Sequence, residues 1–284
     1  MSKPATNDET AWAAVQGSRA RSLSAARLEV HYAAQFGAAF GISYLRKEAD
    51  DSHTNLGWDA SLGALMSRGA SGRNGAVAVG VCVADLTLVV TRDNAVGAVI
   101  PLDGVTIAEA TEALCAALAA EGLDPDRFSL ARHYEIPTHP VATGAAFSAD
   151  SDALEQLSRW FANASRELNR IATTVPGASE VRLWPHHFDI ATLVTIGPNA
   201  STGAGMVGGD GYYDEPYFYV NAHPQPRADQ LIDSLAGGGT WHTHEWIGAV
   251  LPGSRVAGDA AAQQAQVRAY LDAGLAACRA LVAK

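Results

Sequence analysis

Residues 181–220 read VRLWPHHFDIATLVTIGPNASTGAGMVGGDGYYDEPYFYV. This stretch holds two adjacent histidines, a long glycine-rich run and a dense aromatic patch. Its β-branched and aromatic runs predict two strands joined by a glycine-rich link. On the second strand Tyr217 and Tyr219 share one face and Phe218 takes the other, towards the core. Asp210, Asp214 and Glu215 crowd with Tyr212 and Tyr213 just before it. Rings with polar tips suit a small-molecule pocket, and a partly desolvated carboxylate suits acid–base work. Gly203, Gly205 and Gly208 fit G-x-G-x-x-G. A dinucleotide fold needs a helix directly behind that motif, and here a turn and a strand follow, so that reading is rejected. The run Gly203–Gly211 is read instead as a mobile cover over a cleft.

Outward from this stretch, the chain alternates helices with short strands. Leu28, Tyr32, Phe36 and Phe40 recur every four residues and predict a helix over 23–45, with Gly37 and Gly41 admitting a close neighbour. Trp58–Met66 reads as a half-buried strand, and the Asn74-Gly75 and Asp93-Asn94 turns predict an antiparallel meander after it. Thr106 and Glu109 form a T-x-x-E capping box. The seam Leu154, Leu157, Phe161, Ala164, Leu168 and Ile171 marks another helix, and Val267, Tyr270, Leu271, Leu275, Cys278 and Val282 a last one.

The order of elements recurs. LGWDASLGAL at Leu56 and GAVIPLDG at Gly97 have counterparts in HHFDIATLVT at His186 and GAVLPGSR at Gly248. The chain therefore reads as α+β: two pseudo-repeated units, each a helix, a four-stranded antiparallel sheet and a helix, fused into one globular body. The first repeat spans 23–122 and the second 151–284, with an insertion at 224–246. Residues 1–22 form a mobile N-terminal segment and 123–150 a wrapped, proline-rich connector.

EIP at 135–137, FDIA at 188–191 and PYFYV at 216–220 resemble an uncharacterised bacterial family, domain of unknown function 5996. The resemblance covers most of the chain and implies no activity. Between FDIA and PYFYV this sequence is shorter than typical members.

Four groups of residues carry candidate chemistry. His242 and His244 in WHTHEW share a face if the segment is extended, and His187 shares a face with Asp189. His187, Asp189 and His242 are the candidate catalytic residues. His242, His244 and Asp189 are the candidate metal ligands, a set that suits zinc or non-haem iron. His53, Trp184, His186, Glu215 and Tyr217 are candidate ligand-binding residues. The competing reading ties each histidine to a backbone carbonyl. No G-x-S-x-G and no P-loop occurs.

A net charge of −10 and a pI near 5.3 argue against nucleic acid and anionic membrane as partners. Cys82, Cys115 and Cys278 are odd in number and form no C-x-x-C, so a reducing cytoplasm suits them. The start of the chain is polar and acidic, without the pattern of a secretory signal, and no apolar run is long enough to span a membrane. Two functions fit these observations: a cytoplasmic enzyme acting on a small polar metabolite, or a non-catalytic small-ligand-binding or scaffold protein.

Overall fold

The computed structural model describes residues 11–231 and 234–282. In chain order the main elements are α1 (Ser24–Tyr44), β1 (Leu56–Asp59), β2 (Ala64–Ser67), β3 (Ala70–Gly72), β4 (Gly75–Cys82), β5 (Thr87–Arg92), β6 (Ala95–Pro101) and α2 (Ile107–Ala120). They continue with α3 (Ser151–Thr174), β7 (Arg182–Trp184), β8 (Asp189–Gly197), β9 (Ala200–Val207), β10 (Tyr217–His223), β11 (Thr240–His242), β12 (Gly248–Pro252) and α4 (Ala260–Val282). The strands of the described residues form a twelve-stranded sheet, ordered β11-β12-β10-β9-β8-β7-β1-β2-β4-β5-β6 with β3 beside β4. Every ladder among them is antiparallel. The fold is α+β.

Local chemistry explains the elements. Thr106 and Glu109 close their capping box, Glu109 N donating to Thr106 Oγ1 (3.3 Å) and Thr106 N to Glu109 Oε2 (2.9 Å). Asp93 (φ 49°) and Asn94 (φ 67°) occupy the two left-handed positions of a tight hairpin between β5 and β6. Trp58–Met66 is two strands, not one. Asp59 Oδ1 accepts from Ser61 N (2.9 Å), Ser61 Oγ (2.7 Å) and Leu62 N (3.2 Å), and this side-chain turn folds the run back on itself. Among the described residues each half thus holds six strands, where the sequence reading expects four. At Gly41 a β-carbon would overlap the His53 carbonyl, so the loop before β1 lies directly on α1.

The helices cover one sheet face. Ile190, Val194, Ala204, Met206, Phe218, Val220, Ala249 and Leu251 point into this core and are fully buried. The α3 seam is buried along its whole length, from Leu154 to Ile171. Of the N-terminal segment expected to be mobile, residues 1–10 lie outside the described residues. The remainder is packed: Trp12 and Val15 are buried, and Trp12 Nε1 donates to Gln263 Oε1 (3.2 Å). Of the cysteines, Cys278 is buried, while Cys82 and Cys115 are half-buried. No helix among the described residues is long and apolar enough to cross a membrane.

Apart from β3 and β11, the strand order is mirrored about β1 and β7, which meet through one residue pair, Leu56 with Leu183. Registers coincide across the mirror. Pro101 lies opposite Thr87 as Pro252 lies opposite Tyr217, and Gly80 opposite Val89 as Gly205 opposite Tyr219. Met66 lies opposite Gly80 as Ala191 lies opposite Gly205, and Gly57 opposite Met66 as Arg182 opposite Ala191. By this register Trp58 matches Leu183 of β7, and not Phe188.

α3 and α4 are joined through Glu167, whose side chain is wholly buried. It accepts from Arg268 Nη2 (2.8 Å) and Nε (3.1 Å), Gln264 Nε2 (2.9 Å) and Arg170 Nε (2.9 Å). Burial alone would raise its pKa; the Arg268, Gln264 and Arg170 bonds outweigh burial and hold it below the usual glutamate range. Glu167→Ala is expected to cost roughly 2–3 kcal/mol, below the usual figure for a broken buried pair because both arginines can turn to water. A lowered folded pKa gives stability that is present above the unfolded value and lost as pH falls through the folded one. Glu167→Gln should therefore flatten the acid limb of the stability profile. Urea titrations between pH 3 and 7 that superpose with wild type would contradict this.

Candidate functional site

At one end of β8, β9 and β10 the strands stop around a cavity of about 570 Å³. Its wall takes Asp189 from the start of β8, Val207 from the end of β9, and Tyr217, Tyr219 and Asn221 from β10. Arg27 and His31 reach it from α1, His186 and His187 from the β7–β8 turn, Pro137 from the connector, and Trp246 from the segment before β12.

The glycines make the floor. Tyr219 lies opposite Gly205. A β-carbon at 205 would stand 2.6 Å from Tyr219 Cε1 and 2.7 Å from its hydroxyl. Because that carbon is missing, the ring crosses β9 and its hydroxyl donates to Asp189 Oδ2 on β8 (2.6 Å). Gly203 makes the same room for Asn221, whose Oδ1 would stand 2.6 Å from a β-carbon there. Gly208 and Gly209 lie under Arg27, with Nη1 2.9 Å from where a β-carbon at 209 would stand. Gly209 also has φ 116°, which excludes a larger residue on backbone grounds. Of the expected mobile cover Gly203–Gly211, the part 203–207 is corrected. Residues 203–207 belong to β9, where Gly203 and Gly205 make room for the side chains of β10 and Ala204 between them is buried in the core.

Asp189 is 8% exposed, and its Oδ1 has no hydrogen-bond partner. Burial raises its pKa against the Tyr219 bond and the His187 charge. The residue before it, Phe188, has φ 56°, a costly conformation for a bulky side chain. His31 stacked at 4.7 Å and Phe161 at 5.2 Å hold the ring in place and so set where Asp189 begins. His31 donates from Nε2 to the Pro185 carbonyl (2.8 Å). Burial, with Arg27, Arg132 and His186 nearby, pushes its pKa down to about 4 despite that bond, so it is neutral near pH 7. Burial and the neighbouring His187 also lower His186. Tyr217 donates to Asp210 Oδ2 (2.6 Å), and Asp210 Oδ1 accepts from Tyr212 N (2.8 Å) and Tyr213 N (3.0 Å).

Of the residues singled out from sequence, His186, His187, Asp189 and Tyr217 line this cavity. Trp184 lines a neighbouring one of about 380 Å³, which shares Asp189 and Tyr219. The structure does not bring the expected metal ligands His242, His244 and Asp189 together. Among the described residues no three His, Cys, Asp or Glu side chains are grouped to hold a metal ion. His242 Nε2 donates to the His244 carbonyl (2.6 Å), so Nδ1 is left to accept from the Tyr213 hydroxyl (3.0 Å), and neither nitrogen is free for a metal. β11 ends at His242, and the chain turns through Glu245 (φ 66°), leaving His244 exposed. His242 thus supports the wall from behind, stacked 4.4 Å from Trp246. His53 is buried elsewhere, its Nδ1 accepting from Glu48 N (3.3 Å). Glu215 stands outside the cavity lining. It accepts from Ser254 N (2.5 Å) and Ser254 Oγ (3.0 Å) and fixes the loop after β12.

Arg27 and His31 escape the sequence reading. With Gln35 they form an i, i+4, i+8 polar line on a helix otherwise buried on nearly every side. That line is the signal that could have found them.

No family model, no curated protein and no solved structure matches this chain.

Gly205→Ala is expected to force the Tyr219 ring off β9, break its bond to Asp189 and cost about 1–3 kcal/mol, the usual range for overpacking. An unchanged denaturation midpoint together with unchanged Tyr219 ring resonances would contradict the floor argument.

Proposed function

We propose that this chain is an acid–base enzyme that takes a small polar molecule into the cavity and moves a proton through Asp189. One observation carries the reading: Asp189 faces the cavity with one oxygen fixed by Tyr219 and the other buried without a partner. Leaving a buried acceptor unsatisfied costs about 1–3 kcal/mol, so native proteins keep few such atoms. A general acid or base needs this arrangement: one orienting bond, one free oxygen and a pKa moved towards the working pH. His187, whose charge acts on Asp189 from the same wall, is the second proton-handling candidate.

Binding without turnover is the second reading. Tyr219, which holds Asp189, favours it. Burial, with Asp189 alongside, pushes the Tyr219 pKa well above its ordinary value, so this hydroxyl is a poor second proton carrier. The cavity residues serve both readings. The acidic net charge supports a small molecule over nucleic acid, and three free thiols fit a cytoplasmic setting. The resemblance to the uncharacterised bacterial family transfers no activity.

The test is Asp189→Asn beside wild type in a metabolite thermal-shift screen, with each stabilising compound followed for conversion by NMR. Conversion by wild type and not by the variant is the expected result. Equal conversion by both removes Asp189 from the chemistry, and stabilisation without conversion leaves the binding reading. The variant should also be more stable than wild type at pH 7, by about 0.5–2 kcal/mol. A raised folded pKa gives stability that is present below the unfolded value and lost as pH rises through the folded one, and asparagine cannot lose it.

A further inference from the structure

We infer that the ligand of this cavity carries a single carboxylate, and that the carboxylate seats on Arg27. This rests on the proposed reading of the cavity as a small-molecule site. Arg27 is 9% exposed, and its Nε and Nη1 are buried without a hydrogen-bond partner. Arginine is almost never buried unless paired. The same chain pairs its wholly buried Glu167 with two arginines and a glutamine, whereas Nε and Nη1 of Arg27 are left without partners.

Of the two carboxylates that act on Arg27 through their charge, Asp210 is committed elsewhere and Asp214 is exposed. Both Asp210 oxygens are already used, by the Tyr217 hydroxyl and by two backbone N–H groups. Meanwhile Gly208 and Gly209 are bare beneath the side chain, 3.4 Å from Cγ and 2.9 Å from Nη1 at their would-be β-carbons. The guanidinium is thus laid into a prepared bed on the cavity wall and given nothing to bind. Its planar fork fits the two oxygens of a carboxylate or a phosphate.

Charge decides between those two. Asp210 and Asp189 stand on the same wall as Arg27. A monoanion is matched by the one guanidinium. A second negative charge would face carboxylates with no further arginine and no lysine among the lining side chains, only the imidazoles of His186 and His187, and His31 is neutral near pH 7. Tyr217, Tyr219, Trp246 and Val207 give the rest of the wall an apolar and aromatic character, which suits a flat or aliphatic body behind the carboxylate.

Ligand-observed NMR titrations with 3-phenylpropanoate, 3-phenylpropanamide and phenyl phosphate test this. The carboxylate should bind about tenfold or more tightly than the amide, the difference a charge-assisted hydrogen bond makes, and more tightly than the phosphate. Arg27→Met should remove that preference and leave the amide unchanged, while Arg27→Lys, which keeps the charge, retains part of it. Circular dichroism of both variants checks that they fold, and Arg27→Lys carries the comparison if Arg27→Met does not. Equal binding of acid and amide to wild type, tighter binding of the phosphate, or a preference that survives Arg27→Met overturns Arg27 as the anchor while the cavity reading stands. No binding by any of the three probes overturns the anchor and the cavity reading together.

Discussion

The missing β-carbon at Gly205 is the constraint on which the site depends. A tyrosine on β10 cannot reach a carboxylate on β8 without crossing the strand between them, and only a bare backbone lets a ring lie there. The 2.6 Å bond that results fixes Asp189 at the point where β8 emerges from a left-handed Phe188. Gly203 and Gly209 extend the same principle to Asn221 and Arg27. Four polar side chains are therefore placed by atoms that the sequence leaves out.

That explains why the fold is more legible than the site. Capping and seam residues act locally, so Thr106 with Glu109 and the line Leu154–Ile171 can be read directly. Glycine has two meanings, conformational freedom and close approach, and only the partner strand tells which applies. Without β10 in register, 203–209 reads as a loop. The H-x-H pair misleads for a related reason. Alternation places two imidazoles on one face only while the strand continues, and β11 stops at the first of them. In α1 the apolar line Leu28–Phe40 masks the neighbouring polar line of Arg27, His31 and Gln35, because the helix is buried on both.

The mirrored course of the halves shows what distinguishes the second. Gly80 holds in β4 the place that Gly205 holds in β9. Over Gly80 lies Met66, its Sδ overlapping any β-carbon there, so that bare spot is closed by an apolar side chain. Over Gly205 lies a tyrosine that ends on a carboxylate. Opposite the two prolines, Thr87 in one half stands where Tyr217 stands in the other. Strands in like order, with small exchanges at like registers, put an apolar side chain over one bare glycine and a tyrosine bound to a carboxylate over the other.

The orphaned atoms of Arg27 and Asp189 have a bearing on the protein's lifetime. A molecule that satisfied both would bind the folded chain and not the unfolded one, and so act as a missing piece of the interior. The empty protein would then be the more fragile form, opening more often and meeting proteases more often. On the proposed reading, the amount of this protein in a cell would rise and fall with the supply of its own ligand, with no other regulator required.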